Sequence, residues 1–476
     1  MKNYLFLLLF FMFGVLAYSQ NSDTLPSLGD ASSGSISLAG EYDLGRLWLS
    51  LFRSSAKEYN DPIAKSYVQD FIYRVSETSE VRDRRYEFII LDDASINAFA
   101  APGGIIGINT GMFIKTETEG QFASVMCHEL AHLSQRHYAR SQQSMSPLAN
   151  ALILLGSVAT AVVTANPQAI LIAPALIQQL TTNYTRDNER EADRIGFRNL
   201  VNAGFDPKSQ SQMFQILQKS QGSINEEYSY LFTHPIPKER ITDARIRETS
   251  LDDNKTYRNS LEFYLVKARA EVNNSKNLKS IENFYNSKIG NNTNKKISAY
   301  NKYGLSLALK KQKKFDQAFN IARELVKENP TNLIFQTNIL EIHLAQENSL
   351  EAIALGEQLL KIHLNNYFIS YYLSKAYILN GEPDKSEEIL TNLSKDNPKD
   401  PFIWYELSEA QGLSGNIIGL HRSRAEYFIL TGRYDSAIYQ LREGLKLSKN
   451  FFEIRESILS KLEQIYLTKR ALKNLT

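Results

Sequence analysis

The chain carries two histidines four residues apart, His128 and His132, with Glu129 directly after the first. On an α-helix, positions i and i+4 lie on the same face, so both imidazoles can reach one metal ion. Glu129 points to the side of that face, where its carboxylate can hold and deprotonate a metal-bound water without ligating the metal. This spacing predicts two zinc ligands and a general base, the core of a zinc peptidase site.

The surroundings of this motif favour a metal site over a helix that carries two histidines by chance. Residues 121–127 are mostly apolar at helical spacing, which indicates a buried helix. Imidazoles and a carboxylate on a buried helix are costly unless they have partners. Histidine is also scarce, with seven residues in 476, and four of the seven fall within one stretch: His128, His132, His137 and His234.

A catalytic zinc needs a third protein ligand and an open position for water. Residues 186–196 predict a helix with an acidic start, on which Glu189 and Asp193 share a face. We expect Glu189 to ligate the zinc and Asp193 to accept a hydrogen bond from the free nitrogen of a ligand histidine, most simply His128. Glu191 is the alternative ligand. An acidic, solvated helix start with no metal role is the competing interpretation.

The remaining candidate residues have simpler interpretations. Cys127 is the one cysteine and cannot form an internal disulfide. It is expected to be a small buried residue, with a redox switch or an extra metal ligand as alternatives. His137 follows His132 by five positions, roughly 140° around a helix, and is expected to pack or to support a ligand. Surface or packing roles are expected for the three histidines outside this region: His343, His363 and His421.

The length predicts two or three domains, and the net charge of +2 argues against nucleic-acid binding. Residues 1–19 resemble a signal peptide, because Lys2 precedes an apolar run that ends in a small-x-small cleavage site at 17–19. An uncleaved membrane anchor is the alternative. Residues 20–40 are rich in serine, glycine and aspartate and predict a flexible leader.

Residues 41–250 predict a mostly helical α+β peptidase domain with a small sheet. Residues 41–74 are expected to be helical and amphipathic, and a strand follows at 86–91. Residues 97–112 contain a turn that leads into a second strand before the metal helix. Strands in front of the site matter for mechanism, because an exposed strand edge can capture an extended peptide by backbone pairing.

Residues 147–180 are strongly apolar and are broken into two pieces at 166–168. Neither piece clearly reaches the about 20 residues that a membrane span needs. The segment therefore predicts a helical hairpin packed over the site. A mobile lid or a peripheral membrane contact is the alternative, and a membrane-spanning hairpin is less favoured.

The last part of the chain shows a period of 34 residues. Small residues recur at this spacing in Ala318, Ala352 and Ser386, while Pro330 and Pro398 lie two periods apart. This is typical of tetratricopeptide repeats, helical hairpins that stack into an α-solenoid. We expect a helical linker over 251–298 and the repeats over 299–470. The spacing slips by half a period between Ser386 and Ala437, which predicts an inserted helix or a degenerate unit.

Four motifs together resemble the gluzincin metalloproteases that include HtpX and the CAAX prenyl endopeptidases. They are HELAHLSQRH at 128–137, EREADRIG at 189–196, THP at 233–235, and NAF with PGG at 97–104. The resemblance extends from residue 41 to about residue 247. With a signal peptide and a repeat tail, the chain is most similar to the periplasmic members that act as protease and chaperone.

This resemblance implies roles for individual residues. It implies His128, His132 and Glu189 as ligands of one zinc ion and Glu129 as the general base. His234 matches a family histidine near the metal, which either stabilises the tetrahedral oxyanion or occupies the open zinc position and keeps the enzyme silent until substrate arrives. Arg240, six residues later, is expected to be a charge partner nearby.

The expected function is that of an exported zinc metalloendopeptidase that acts on proteins or peptides, with repeats that dock a substrate or partner. The resemblance implies that this partner is an assembling outer-membrane protein or its insertion machinery, in the periplasm; full secretion is the alternative location. The rival hypothesis is a chaperone or adaptor whose metal site is silent. An aminopeptidase is disfavoured because the sequence offers no acidic anchor for a free amine.

Overall fold

The computed structural model describes residues 37–141, 186–220, 234–235, 238–249, 256–290 and 294–473. The predicted signal peptide at 1–19, nearly all of the predicted leader at 20–40, and the apolar segment at 147–180 lie outside these residues. Within them, no helix is both long enough and apolar enough to cross a membrane.

The first part of the chain folds as a three-stranded sheet surrounded by helices. Its helices are α1 Leu38–Arg53, α2 Pro62–Ser76, α3 Thr110–Lys115, α4 Glu119–Ser134, α5 His137–Ser141, α6 Arg186–Asn202, α7 Lys208–Ser220 and α8 Lys238–Thr249. Its strands are β1 Glu87–Leu91, β2 Ala98–Ala101 and β3 Ile105–Asn109. The helix and sheet content confirms the predicted mostly helical α+β class.

The region 41–74, which is predicted to be helical and amphipathic, contains two helices, α1 and α2. Asp61 is the N-cap of α2, and its side chain accepts a hydrogen bond from the Ala64 N–H. Pro62 occupies the first helical position, where its missing N–H costs nothing. A cap followed by proline therefore starts a new helix at this point.

The sheet has the order β1-β3-β2, with β1 parallel to β3 and β2 antiparallel to it. The antiparallel pair turns at Gly103 and Gly104, whose φ angles of +76° and +77° lie in the left-handed region that glycine adopts without strain. Phe99 of β2 lies opposite Gly107 of β3, and a Cβ at Gly107 would stand 2.1 Å from the Phe99 ring. In the strand order β1-β3-β2, strand β2 is an edge strand of the sheet.

Helix α4 is fixed in the core by aromatic packing. Phe122 stacks on Phe113 of α3 and meets Phe71 of α2 edge-on, with ring centroids 5.0 Å apart in both pairs. All three side chains are fully buried. The helix that carries the histidine pair is therefore held near its N-terminal end by closely packed aromatic rings.

The rest of the chain forms a stack of helices: α9 Leu261–Asn274, α10 Leu278–Lys288, α11 Lys295–Lys311, α12 Phe315–Glu328, α13 Leu333–Ala345, α14 Ser349–Ile362, α15 Tyr367–Leu379, α16 Pro383–Asp396, α17 Pro401–Ser414, α18 Ile417–Leu430, α19 Tyr434–Leu447 and α20 Phe452–Lys473. Helices α12, α14 and α16 begin 34 residues apart, and the small residues on them, Ala318, Ala352 and Ser386, are fully buried. The small side chains let neighbouring helices approach closely, which explains the period in the sequence.

The half-period slip has a direct structural cause. Ser386 lies on α16 and Ala437 on α19, and two helices, α17 and α18, separate them. A regular period would place one helix there, so the array contains one additional helix. This is the first of the two alternatives that the sequence left open.

The repeats pack back onto the first part of the chain. The Tyr434 hydroxyl of α19 is 3.0 Å from the Ser50 hydroxyl of α1. The Lys65 ammonium of α2 is 2.6 Å from the Asp400 carboxylate at the start of α17. Trp48 and Phe52 of α1 share a buried cluster with side chains of α19. Helices α1 and α2 therefore connect the sheet to the repeats.

A buried arginine on α9 joins three parts of the molecule. The Arg269 guanidinium contacts the Asp61 carboxylate at 2.7 Å, the Glu341 carboxylate at 2.7 Å, and the hydroxyls of Tyr303 and Tyr372 at 2.8 and 3.0 Å. Replacing Arg269 with methionine removes this charge from the buried Glu341 carboxylate, which keeps Lys310 as a partner, and from the partly buried Asp61 carboxylate. We expect a loss of about 3–5 kcal/mol in the free energy of unfolding, measured by urea denaturation.

The matched control for this prediction is the same change at Arg422, which is exposed on α18. That variant should unfold within about 0.5 kcal/mol of the wild type. Equal stability of the two variants would show that the Arg269 network contributes nothing to the junction between the repeats and the first part of the chain.

Candidate metal centre

Two helices and one short segment bring the predicted site residues together. His128, Glu129 and His132 lie on α4, Glu189 lies on α6, and His234 lies just before α8. All five are at least 97% buried. Charged and polar groups so deeply buried require partners, and here they meet one another.

Four of these residues offer ligand atoms that all lie within 4.8 Å of one another: His128, His132, Glu189 and His234. The Nε2 atom of His128 is 3.0 Å from the Nε2 atom of His132 and 3.4 Å from the Nδ1 atom of His234. The Glu189 carboxylate lies 2.9–3.5 Å from the three imidazoles. A four-coordinate metal with bonds of about 2.0–2.1 Å holds its donor atoms roughly 3.4 Å apart. The group therefore has the size and the donor atoms of a tetrahedral metal site.

The other ring nitrogen of His128 faces a carboxylate. The Nδ1 atom of His128 lies 3.1 Å from the Asp193 Oδ1 atom. Arg240 of α8 donates to both Asp193 oxygens, at 2.7 and 2.8 Å, to the Glu189 carboxylate at 2.8 Å, and to the Pro235 carbonyl at 2.7 Å. Arg240 is therefore a charge partner of the two acidic residues, and its bond to the Pro235 carbonyl joins the residue next to His234 to α6.

Glu191, the alternative ligand, is outside this four-residue group. Its Oε2 atom lies 3.1 Å from the Nε2 atom of His137 and 2.8 Å from Arg140. The Nδ1 atom of His137 in turn lies 2.8 Å from the Nδ1 atom of His132. His137 thus stands behind His132, in the direction away from the four converging ligand atoms.

The chain reaches this arrangement through a break after α4. Helix α4 ends at Ser134, and Arg136 has a φ angle of +49°, in the left-handed region. On a continuous helix, His137 would lie roughly 140° around the axis from His132. The break turns His137 back towards His132. Helical spacing alone could not predict the contact between His137 and His132. The only sign of the break in the sequence is that the residues after Leu133 are polar.

The Glu129 carboxylate lies between the edge strand and the four-residue group. Its Oε2 atom accepts a hydrogen bond from the Ala100 N–H of β2 at 3.0 Å. Its Oε1 atom is buried, forms no hydrogen bond with the described residues, and lies 3.5 Å from the Nε2 atom of His234. A buried carboxylate oxygen without a hydrogen bond is costly. A water molecule between Glu129 and the group would remove that cost.

Burial and mutual contacts shift the proton affinities of the site. Burial raises the pKa of Glu129, and the charges of His234 and His128 partly offset this effect. Burial lowers the pKa of His128, but hydrogen bonds to Asp193 and Glu189 outweigh it and raise that pKa to about 9. A carboxylate whose pKa is raised is better suited to accept a proton at neutral pH. A metal ion at this position would displace the proton that His128 otherwise holds.

Gly196 allows α6 to approach α4 closely. A Cβ at this position would stand 3.0 Å from the Cys127 carbonyl oxygen and 3.0 Å from the His128 Cα. Replacing Gly196 with valine should push the two helices apart and separate the α4 histidines from Glu189. We expect zinc affinity to fall about tenfold or more, measured by competition with a chromophoric chelator.

Gly196→Ala is the matched variant, because it adds only the Cβ and should give a smaller loss in the same direction. A folded valine variant that binds zinc as tightly as the wild type would contradict the role assigned to this close contact.

Cys127 and the remaining histidines lie outside the four-residue group. Cys127 is fully buried, and burial raises the pKa of its thiol. His343 packs against the Phe319 ring, with centroids 5.3 Å apart, and the Nδ1 atom of His421 lies 2.7 Å from the Gln440 side-chain oxygen. These positions suit packing and surface roles.

Comparison with known families agrees with this geometry. Residues 62–248 match peptidase family M48, and residues 343–407 match a tetratricopeptide repeat family. The first match contains all the residues of the four-residue group. The second lies in the stack of helices, where the 34-residue period occurs.

The chain is also similar to individual proteins along most of its length. A beta-barrel assembly-enhancing protease of Escherichia coli K12 is 30% identical over 430 residues, which cover 89% of this chain and 87% of that protein. A putative beta-barrel assembly-enhancing protease of Vibrio cholerae is 30% identical over 433 residues, covering 89% and 88%. The mitochondrial metalloendopeptidase OMA1 of Schizosaccharomyces pombe is 26% identical over 196 residues, covering 40% and 56%. From the converging ligand atoms and these similarities, we conclude that the chain belongs to peptidase family M48 and is a metalloprotease with C-terminal tetratricopeptide repeats.

Proposed function

We propose that this protein is an exported zinc metalloendopeptidase that acts in the assembly or quality control of outer-membrane proteins. The observation that carries the proposal is the convergence of three imidazoles and one carboxylate, all buried, beside the free oxygen of Glu129. No other arrangement of the described residues combines ligand atoms at metal-site distances with an adjacent base.

Zinc is the metal that this donor set favours. Imidazole nitrogen with one carboxylate oxygen in a tetrahedral arrangement is typical of catalytic zinc sites. In this proposal His128, His132 and Glu189 hold one zinc ion. When bound, the ion supplies a Lewis acid for the scissile carbonyl and lowers the pKa of a water molecule.

The chain's own residues supply the proton transfers. Glu129 accepts the proton of the attacking water on its Oε1 atom and delivers it to the leaving amine. The Ala100 N–H holds the other oxygen of Glu129, so the edge strand orients the base. Strand β2 is an edge strand among the described residues, and in this proposal an extended substrate pairs its backbone with it. Asp193 and Arg240 fix the ring orientation of His128 and the carboxylate of Glu189.

His234 is proposed to hold the enzyme in a latent state. Its Nδ1 atom is one of the four converging ligand atoms, so in this proposal it would take the place of a water or a substrate oxygen. Substrate binding would displace His234. The alternative role, in which His234 stabilises the oxyanion, requires that the imidazole stay near the metal without ligating it.

Similarity to two relatives supports the proposed role in outer-membrane protein assembly. Proteins named as beta-barrel assembly-enhancing proteases match 89% of this chain. We propose that this chain also acts on assembling β-barrel proteins, and that the repeats dock a substrate or the insertion machinery. We also propose that residues 1–19 direct export into the periplasm and that residues 147–180 make a peripheral membrane contact. The proposed domains of the protein are a peptidase domain at 41–250, a linker at 251–298 and repeats at 299–470.

Replacing His234 with alanine separates the latent protease from a chaperone or adaptor with a silent metal site. If His234 blocks the metal in about nine-tenths of the molecules or more, its removal should increase self-cleavage or casein cleavage at least about tenfold. The measurement is the initial rate of casein cleavage by the zinc-loaded chain.

The double variant His234→Ala with Glu129→Gln is the control, and it should return cleavage to the background. The latent-protease proposal would be overturned if the single variant bound zinc but still did not cleave casein. If that variant also still protected an unfolded β-barrel client, the result would favour the adaptor.

A further inference from the structure

The second predicted ligand, His132, has a supporting partner of an unusual kind. The Nδ1 atom of His132 lies 2.8 Å from the Nδ1 atom of His137, and the Nε2 atom of His137 lies 3.1 Å from the Glu191 carboxylate. His128, by contrast, has a carboxylate as its direct partner. The two predicted ligand histidines therefore have different partners: a carboxylate for His128 and a second histidine for His132.

The hydrogen bonds that run from Glu191 through His137 to His132 fix the position of each proton. A carboxylate can only accept a hydrogen bond, so the Nε2 atom of His137 must carry the proton that Glu191 receives. A neutral imidazole has one donor and one acceptor nitrogen, so the Nδ1 atom of His137 is then an acceptor. His132 must therefore donate from its own Nδ1 atom, which leaves the lone pair on its Nε2 atom. That Nε2 atom is the one that faces His128 and Glu189.

We propose that His137 and Glu191 are positioning residues that hold His132 in the tautomer and ring orientation required for metal binding. This proposal rests on the proposed role of His132 as a zinc ligand. It assigns a function to Glu191 that differs from metal ligation, and it extends the metal site to the start of α5.

Burial and charge in the surroundings support this role. His137 is fully buried, while the Glu191 side chain is 27% exposed and is also held by Arg140 at 2.8 Å. The buried His137 imidazole lies behind His132, and the partly exposed Glu191 carboxylate accepts the hydrogen bond from the Nε2 atom of His137. The left-handed backbone at Arg136 turns His137 towards His132 and so makes this contact possible.

The test replaces His137 with phenylalanine or with glutamine in the full-length chain. Phenylalanine keeps the ring volume but removes the acceptor, so zinc affinity should fall about 10- to 100-fold. Glutamine retains a side-chain oxygen as acceptor and should restore most of that loss, which a purely steric role would not produce. Glu191→Ala, at a partly exposed position, should fold normally and give a smaller loss in the same direction.

A second measurement is independent of zinc. The chain has only seven histidines, so ¹⁵N labelling of histidine allows long-range ¹H–¹⁵N spectra to identify each tautomer in the metal-free protein. We expect His132 to be protonated on Nδ1 in the wild type and to lose this preference in His137→Phe and Glu191→Ala, while the ring-nitrogen signals of His128 stay unchanged. Unchanged zinc affinity and an unchanged His132 tautomer in His137→Phe would overturn the proposal.

The two arms separate this proposal from the proposed function. If the wild-type chain bound no zinc, the metalloendopeptidase proposal would fail. The tautomer of His132 in the variants would then still decide whether His137 and Glu191 control it.

Discussion

Replacing Glu129 with glutamine is expected to leave zinc bound and to lower kcat for peptide cleavage by about a thousandfold or more. Glutamine has the same shape as glutamate, and its oxygen can still accept the hydrogen bond from the Ala100 N–H. It cannot accept a proton from water. The three predicted ligands are untouched, so only the proton transfer is lost. The comparison is best made in the His234→Ala background, where the rate is expected to be measurable.

The matched control is Glu117→Gln, a glutamate that is exposed just before α4. It should retain the cleavage rate of its parent within a factor of about two. Zinc content, measured in all variants, separates loss of the base from loss of the metal. Near-normal cleavage by the Glu129→Gln variant would reject the assignment of Glu129 as the base.

Glu189→Gln is expected to weaken zinc binding by more than about a hundredfold. Loss of a residue that only supports a ligand typically costs 10- to 100-fold in metal affinity, and loss of a charged ligand should cost more. The variant keeps the size of the side chain but removes a negative charge that lies within 3.5 Å of three imidazoles. The remaining buried arginine, Arg240, is still neutralised by Asp193. The fold should therefore persist, and the dissociation constant for zinc is the appropriate measurement.

Asp187→Asn provides the control for Glu189→Gln, because Asp187 is an exposed acidic residue in the first turn of the same helix. It changes the charge near the helix start without touching the group, and it should leave zinc affinity unchanged. Equal zinc affinity in the Glu189→Gln variant and the wild type would mean that the carboxylate is not a ligand.

The site could be predicted from the sequence where a single helix determines the geometry. The spacing of His128 and His132 follows from one helix, and so does the pairing of Glu189 with Asp193 on another. The contact between the two helices was inferred only from the need for a third ligand. Gly196 makes this contact close, and nothing in its local sequence indicates which helix it faces. The 34-residue period predicted the repeats because each period corresponds to one helical hairpin.

Features that depend on breaks in the backbone or on distant contacts were not predictable. The left-handed conformation of Arg136 redirects His137, and an arginine is not a residue that indicates such a conformation. Strand β2 is only four residues long, so its alanine-rich sequence gave no strand signal. The contact of Tyr434 with Ser50 joins residues 384 positions apart and depends on the curvature of the whole repeat array.

The most direct test of the account is the metal dependence of cleavage by the purified full-length chain, assayed as the His234→Ala variant. We predict one zinc ion per chain, complete loss of cleavage when a chelator removes it, and recovery when zinc is added back. Cleavage that persists in the metal-free chain would contradict the claim that His128, His132 and Glu189 hold the ion that activates water for attack on the peptide bond.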